Sequence, residues 1–92
     1  MFEWNEAKRE WTIADRGLDF LDAVPLFDGR PTISVAAKTE TEARTLTTGQ
    51  LDDGKFYTVV WMWRGEARRI ISFRRSRDGE EQRHHADYPP HG

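Results

Sequence analysis

Cysteine is absent from this 92-residue chain, which excludes disulfides, thiolate metal sites and thiol nucleophiles and permits a reducing compartment. No apolar run approaches the 18 residues of a membrane span. Met1 leads straight into Phe2-Glu3-Trp4 with no basic-then-apolar leader, so a cytoplasmic protein is expected. A glycine-rich phosphate loop, a Ser/His/Asp constellation, an internal repeat and a linker are all missing. Residues 1–92 therefore read as one domain, with 89–92 as a frayed tail.

A surplus of positive charge is missing too: the formal net charge is −2. A globally acidic chain is a poor non-specific nucleic-acid binder, because phosphate contacts supply most of that affinity. The charge is unevenly placed, however. Residues 1–30 carry four Lys/Arg against seven Asp/Glu, whereas Arg64, Arg68, Arg69, Arg74, Arg75 and Arg77 crowd one stretch with Glu66 their only acidic company. Such a local cluster can grip a phosphate backbone or an acidic partner.

What is present is aromatic and β-prone. Hydrophobic residues make up 37% and aromatic ones 12%, with four Trp, enough for a compact core. Phe56 to Trp63 is a dense run of β-branched and aromatic residues, and Arg64-Gly65-Glu66 supplies a turn. Ala67 to Phe73 follows as a second β-prone run and ends in Arg74-Arg75-Ser76-Arg77. These two runs predict a central antiparallel hairpin. Tyr57, Val59, Trp61 and Trp63 share one face of its first strand; Phe56, Val60 and Met62 share the other. A strand apolar on both faces belongs mid-sheet, with helices on one side and something else shielding part of the other.

Before the hairpin, Phe2-Glu3-Trp4 alternates like a short edge strand. Asn5 suits a helix N-cap, Lys8 to Ala14 a helix with Trp11 on its inner face, and Gly17 its stop. Asp19 caps a second helix in which Phe20, Ala23, Val24 and Phe27 recur at i, i+3, i+4 and i+7, with Pro25 kinking it or disturbing its last turn. Asp28-Gly29-Arg30-Pro31 turns the chain. Thr32 to Lys38 reads as a strand with Ile33, Val35 and Ala37 on one face, and Glu42 to Leu51 as another. Asp52-Asp53-Gly54 turns into the hairpin. Asp78-Gly79 breaks the sheet, and Glu80 to Tyr88 can form a short polar helix. The order β-α-α-β-β-β-β plus that helix predicts an α+β fold, two N-terminal helices on one face of a mainly antiparallel sheet.

Several of these residues fall in a familiar order. Phe2-Glu3-Trp4-Asn5-x-x-Lys8 and Gly17-x-x-Phe20-x-x-Ala23-x-x-x-Phe27-Asp28 resemble the opening of the BrnT family of type II toxins. Arg44, Gly49, the VVWMWR strand and Arg69-Ile70-Ile71-Ser72-x-Arg74-Arg75 match its later pattern. The resemblance covers about Phe2 to Arg77. It implies a RelE-like ribonuclease fold, inhibition of translation by mRNA cleavage, and a cognate ribbon-helix-helix (BrnA-like) antitoxin that represses the shared promoter with the toxin. Two departures stand out. The family's Lys-His-Gly is Asp15-Arg16-Gly17 here. The Glu followed one turn later by Tyr is replaced by Glu80 and Glu81 leading to His84 and His85, with Tyr88 a turn further on.

Metal-free RNA cleavage needs a deprotonated 2′-hydroxyl, a stabilised phosphorane and a protonated leaving oxygen. Guanidinium groups suit the second task. Strict alternation puts Arg69 and Arg75 on the parity of Ile71 and Phe73, and Arg68 and Arg74 on the other. Arg74 is the favoured phosphate ligand, with Arg69 or Arg75 beside it and Arg16 at the helix end. Arg44, Arg64, Arg68 and Arg77 extend the phosphate-binding set. Each has a plainer reading as half of an ion pair with Glu66, Asp78 or the acidic N-terminal segment; Arg16 could equally complement its helix dipole. His84, or His85, is the candidate acid or base, imidazole being the side chain suited to proton transfer at neutral pH, unless both merely decorate an exposed helix face. Adjacent histidines on a helix do not face together, so His84, His85 and His91 make a poor metal site, and no cofactor is expected. Trp61 reads as core; Trp63 and Tyr57 could stack on bases. The alternative function is a catalytically weakened relative that binds the antitoxin and acts in autoregulation. A generic RNA-binding module is the weakest reading.

Overall fold

The structure, a computed structural model, describes residues 1–37 and 42–90. Five strands, β1 (Phe2–Trp4), β2 (Thr32–Ala37), β3 (Arg44–Gln50), β4 (Phe56–Arg64) and β5 (Ala67–Arg75), form one sheet in the order β1-β5-β4-β3-β2. All pairings are antiparallel except β1, which joins β5 in parallel. The hairpin of β4 and β5 lies mid-sheet, and Gly65 turns it at φ 62°, a conformation open to glycine. Lys38 lies outside the described residues.

Helix α1 (Glu6–Arg16) begins where Asn5 accepts a hydrogen bond from the Lys8 backbone N–H and ends at Gly17, φ 69°. Its phase differs from the expected one. Trp11 is 53% exposed, and Thr12 is the buried residue, its hydroxyl donating to the Lys8 carbonyl. Arg9 sets that phase by reaching Asp19 at 2.8 and 2.9 Å, which turns Trp11 outward under Arg16.

The second helical segment, Phe20–Phe27, is a 3₁₀ helix throughout, capped by Asp19. A three-residue period buries Phe20, Ala23 and Leu26, in place of the expected set containing Val24 and Phe27. Pro25 is tolerated inside it. These residues pack with Tyr57, Val59, Trp61, Ile70 and Phe73 as the core. The opposite sheet face is partly covered by α2 (Asp78–Asp87), whose Glu80 bonds Thr58 and whose His84 meets Phe56 edge-on at 4.9 Å. Between the two layers, Thr47 accepts from the Trp61 indole at 2.8 Å and Thr48 bonds Thr58 at 2.7 Å, so the buried hydroxyls are satisfied.

Candidate functional site

The register of β4 against β5 decides where the arginines go. Tyr57 faces Arg75, Thr58 faces Arg74, Val59 faces Phe73 and Val60 faces Ser72; then Trp61 faces Ile70, and Ile71 is skipped. This bulge breaks the alternation expected from the sequence. Phe73 and Ile70, three apart, both enter the core. Arg75 and Arg68 consequently flank the core face, while Arg74 and Arg69 share the opposite one with Thr58 and Met62.

Arg74 is committed to Glu80: two N–H groups reach its two carboxylate oxygens, each at 2.8 Å, with both side chains less than a fifth exposed. Glu80 also accepts from the Arg77 backbone N–H at 2.7 Å and from the Thr58 hydroxyl at 3.1 Å. The Arg74 guanidinium above all holds the Glu80 carboxyl down at about 2, which leaves it a poor proton acceptor. Arg75 lies over the Tyr57 ring and donates to the Phe56 carbonyl. Arg68 is enclosed by the rings of Phe27, Trp61 and Trp63 at 4.7 to 5.4 Å. Arg16 donates to the Phe73 carbonyl at 3.1 Å, beside the bulge. Arg77 is exposed at the start of α2.

His84 is not an exposed helix residue: it is 5% exposed. Its Nε2 lies 3.1 Å from the Pro31 carbonyl, an acceptor only, so Nε2 carries the proton and donates. With His85 and Tyr88 it borders a separate cavity near Phe56. Arg30 shares that cavity with His84 and His85, whereas none of the arginines predicted for the site lines it.

Four cations do meet. Lys8 from α1, Arg44 from β3, Arg64 from β4 and Arg69 from β5 line a groove of about 410 Å³ whose floor includes Met62 and Ile71. Asn5 and Glu42 complete its polar rim. Arg44 donates through Nε and Nη2 to one oxygen of Glu42, at 3.0 and 2.9 Å, and Arg64 Nε stands 3.9 Å from Glu3. Arg69 has no carboxylate within ion-pair distance among the described residues. The groove can take a phosphodiester, and Glu42 is the carboxylate that lines it among the described residues.

Sequence reasoning reaches Arg44, Arg64 and Arg69 but assigns no role to Lys8 or Glu42. Lys8 stands in the Asn5-x-x-Lys8 motif; only the parallel docking of β1 on β5 brings it to the arginines. Among the described residues, no group of three or more His, Asp or Glu is arranged to hold a metal ion.

A family profile described as ribonuclease toxin, BrnT, of type II toxin-antitoxin system matches residues 4–80. The 1.1 Å crystal structure of the Brucella abortus ribonuclease toxin, BrnT, superposes with a TM-score of 0.64 and 28% identity over 85% of this chain and 99% of its own. No curated protein gives a match.

Proposed function

This chain belongs to the BrnT family of ribonuclease toxins of type II toxin–antitoxin systems, and from that premise we propose that it cleaves mRNA and so arrests translation in the cytoplasm. One observation carries the reading: Lys8, Arg44, Arg64 and Arg69 come from four separate elements and line a single groove. Convergent cations of this kind hold a scissile phosphate and stabilise the charge that builds on it as the phosphorane forms. Arg69 is the principal phosphate ligand, since no carboxylate competes for its guanidinium among the described residues. The superfamily fold is RelE-like, and the antitoxin partner that a type II toxin implies is of the ribbon-helix-helix type.

Expression with and without a neighbouring ribbon-helix-helix gene tests the reading in cells. Growth arrest that the partner relieves supports it. In vitro, Arg69→Ala lowers cleavage of a model RNA by roughly 10²-fold, the usual loss when one charge-stabilising donor is removed.

A second reading rests on Arg74 and Arg16, which the sequence marks as phosphate ligands but which are spent on Glu80 and the Phe73 carbonyl. On this reading the chain is a weakened relative that binds the antitoxin and acts in transcriptional autoregulation. Harmless expression of the unmodified protein, with antitoxin binding intact, would decide for it.

A further inference from the structure

We propose that Glu42 is the general base of this groove, taking the proton from the RNA 2′-hydroxyl, and that Lys8 supplies the proton to the departing 5′-oxygen. The inference rests on the RNA-cleaving reading and goes beyond it by assigning both proton transfers.

The assignment follows from what the groove contains. A general base must reach the reacting atoms and must be able to take up a proton. Arginine does not give up its proton in proteins, so Arg44, Arg64 and Arg69 are excluded. His84 and His85 border a different cavity, with His84 bonded to the Pro31 carbonyl. Glu80 does not line the groove and lies under Arg74 beside Thr58. Among the described residues, Glu42 is the carboxylate that lines the groove itself. Its side chain is 41% exposed, so a substrate can reach it, and Arg44 orients it through two N–H groups on the same oxygen. A base held by a second group is the arrangement that activates nucleophiles elsewhere.

On the acid side, Lys8 is, among the described residues, the lining cation that can release a proton, and α1 places it in its first turn through the Asn5 cap. The step is balanced as follows. The 2′-hydroxyl proton passes to the Glu42 carboxylate while the 2′-oxygen bonds to phosphorus. The phosphorus–5′-oxygen bond breaks, and the 5′-oxygen takes the Lys8 proton. The products are a 2′,3′-cyclic phosphate and a free 5′-hydroxyl, and solvent exchange returns both side chains to their starting states.

The nearest competitor is Glu3. It sits opposite Arg69 in the β1–β5 register, 3.9 Å from Arg64, with an Oε1 that makes no hydrogen bond among the described residues. It does not line the groove.

The test uses the full chain and a short oligoribonucleotide with one cleavable linkage, alongside its 2′-deoxy analogue to read binding alone. Glu42→Gln is expected to slow cleavage by roughly 10²-fold or more while the analogue binds as tightly or more tightly. Glu42→Asp, which keeps a carboxylate, should retain part of the rate. A substrate whose leaving 5′-oxygen is replaced by sulfur needs no acid, so it should restore Lys8→Ala but not Glu42→Gln. Cleavage by Glu42→Gln at the unmodified rate overturns the assignment and leaves the nuclease reading intact. The same result follows if Glu3→Gln carries the deficit. An unmodified protein that binds the analogue but never cuts RNA overturns both.

Discussion

The Glu80 carboxylate shows how one side chain can remove an arginine from the site and anchor a helix. Its carboxyl titrates at about 2 instead of 4.5, so the folded state holds that proton less tightly than the unfolded chain does. The stabilisation is therefore complete above about pH 4.5 and drains away as pH falls toward about 2, a loss on the order of 2–3 kcal/mol. Urea midpoints at several pH values should show this acid decline, and Glu80→Gln should flatten it while lowering stability at neutral pH. Arg74→Ala should act the same way, as a stability variant more than an activity variant, because it strands a partly buried carboxylate. Single residues were only partly legible in the sequence. The cations are plain, but their partners lie far along the chain: Arg68 is caged by rings from β4 and the 3₁₀ helix, and His84 by the Pro31 carbonyl.

Strands and turns were the most legible level, since alternation and Gly65 and Gly54 mark them directly. Beside the 3₁₀ segment, where a three-residue period replaces the expected one, two further failures have identifiable physical causes. Ile71 is an extra residue in β5, and nothing local in Arg69-Ile70-Ile71-Ser72 announces which residue is skipped. Trp11 faces solvent because an ion pair from Arg9 to Asp19, a neighbour in space, outweighs its hydrophobic pull. Replacing Trp11 by Ala should thus cost no more than about 1 kcal/mol, whereas Phe20→Ala, at a site with no exposure, should cost about 3–5 kcal/mol, both read by urea unfolding. Gly49 carries a different constraint. A Cβ there would stand 2.8 Å from the Leu26 side chain and 2.9 Å from Thr32, so the 3₁₀ helix can approach β3 only over a bare backbone. Gly49→Ala should destabilise by about 1–3 kcal/mol through overpacking.

Across the whole molecule two local patches of opposite sign stand apart. Asp22, Asp52 and Asp53 surround a hollow of about 250 Å³ beside Tyr57, on the core side. Met62 and the four groove cations lie on the other side. A net charge of −2 conceals this division, and so composition alone argues against a nucleic-acid partner that the basic groove can accept. Affinity for single-stranded RNA should fall with salt at a log–log slope of about −2 to −3, the value for three or four phosphate contacts, and Arg69→Ala should reduce that slope by about 0.7. A slope near zero in a filter-binding titration would count against the groove as the RNA site. Among the described residues no helix is long and apolar enough to cross a membrane.

The parallel strand at the margin also has a bearing on how the protein is made. Phe2 pairs with Arg68 and Trp4 with Ile70, and the Met1 carbonyl accepts from the Arg68 amide. On the ribosome, β1 emerges well before β5 and must wait for it before it finds its place. Lys8 hangs from that same waiting segment, so the nascent chain stays without its assembled cationic cleft until β5 has emerged.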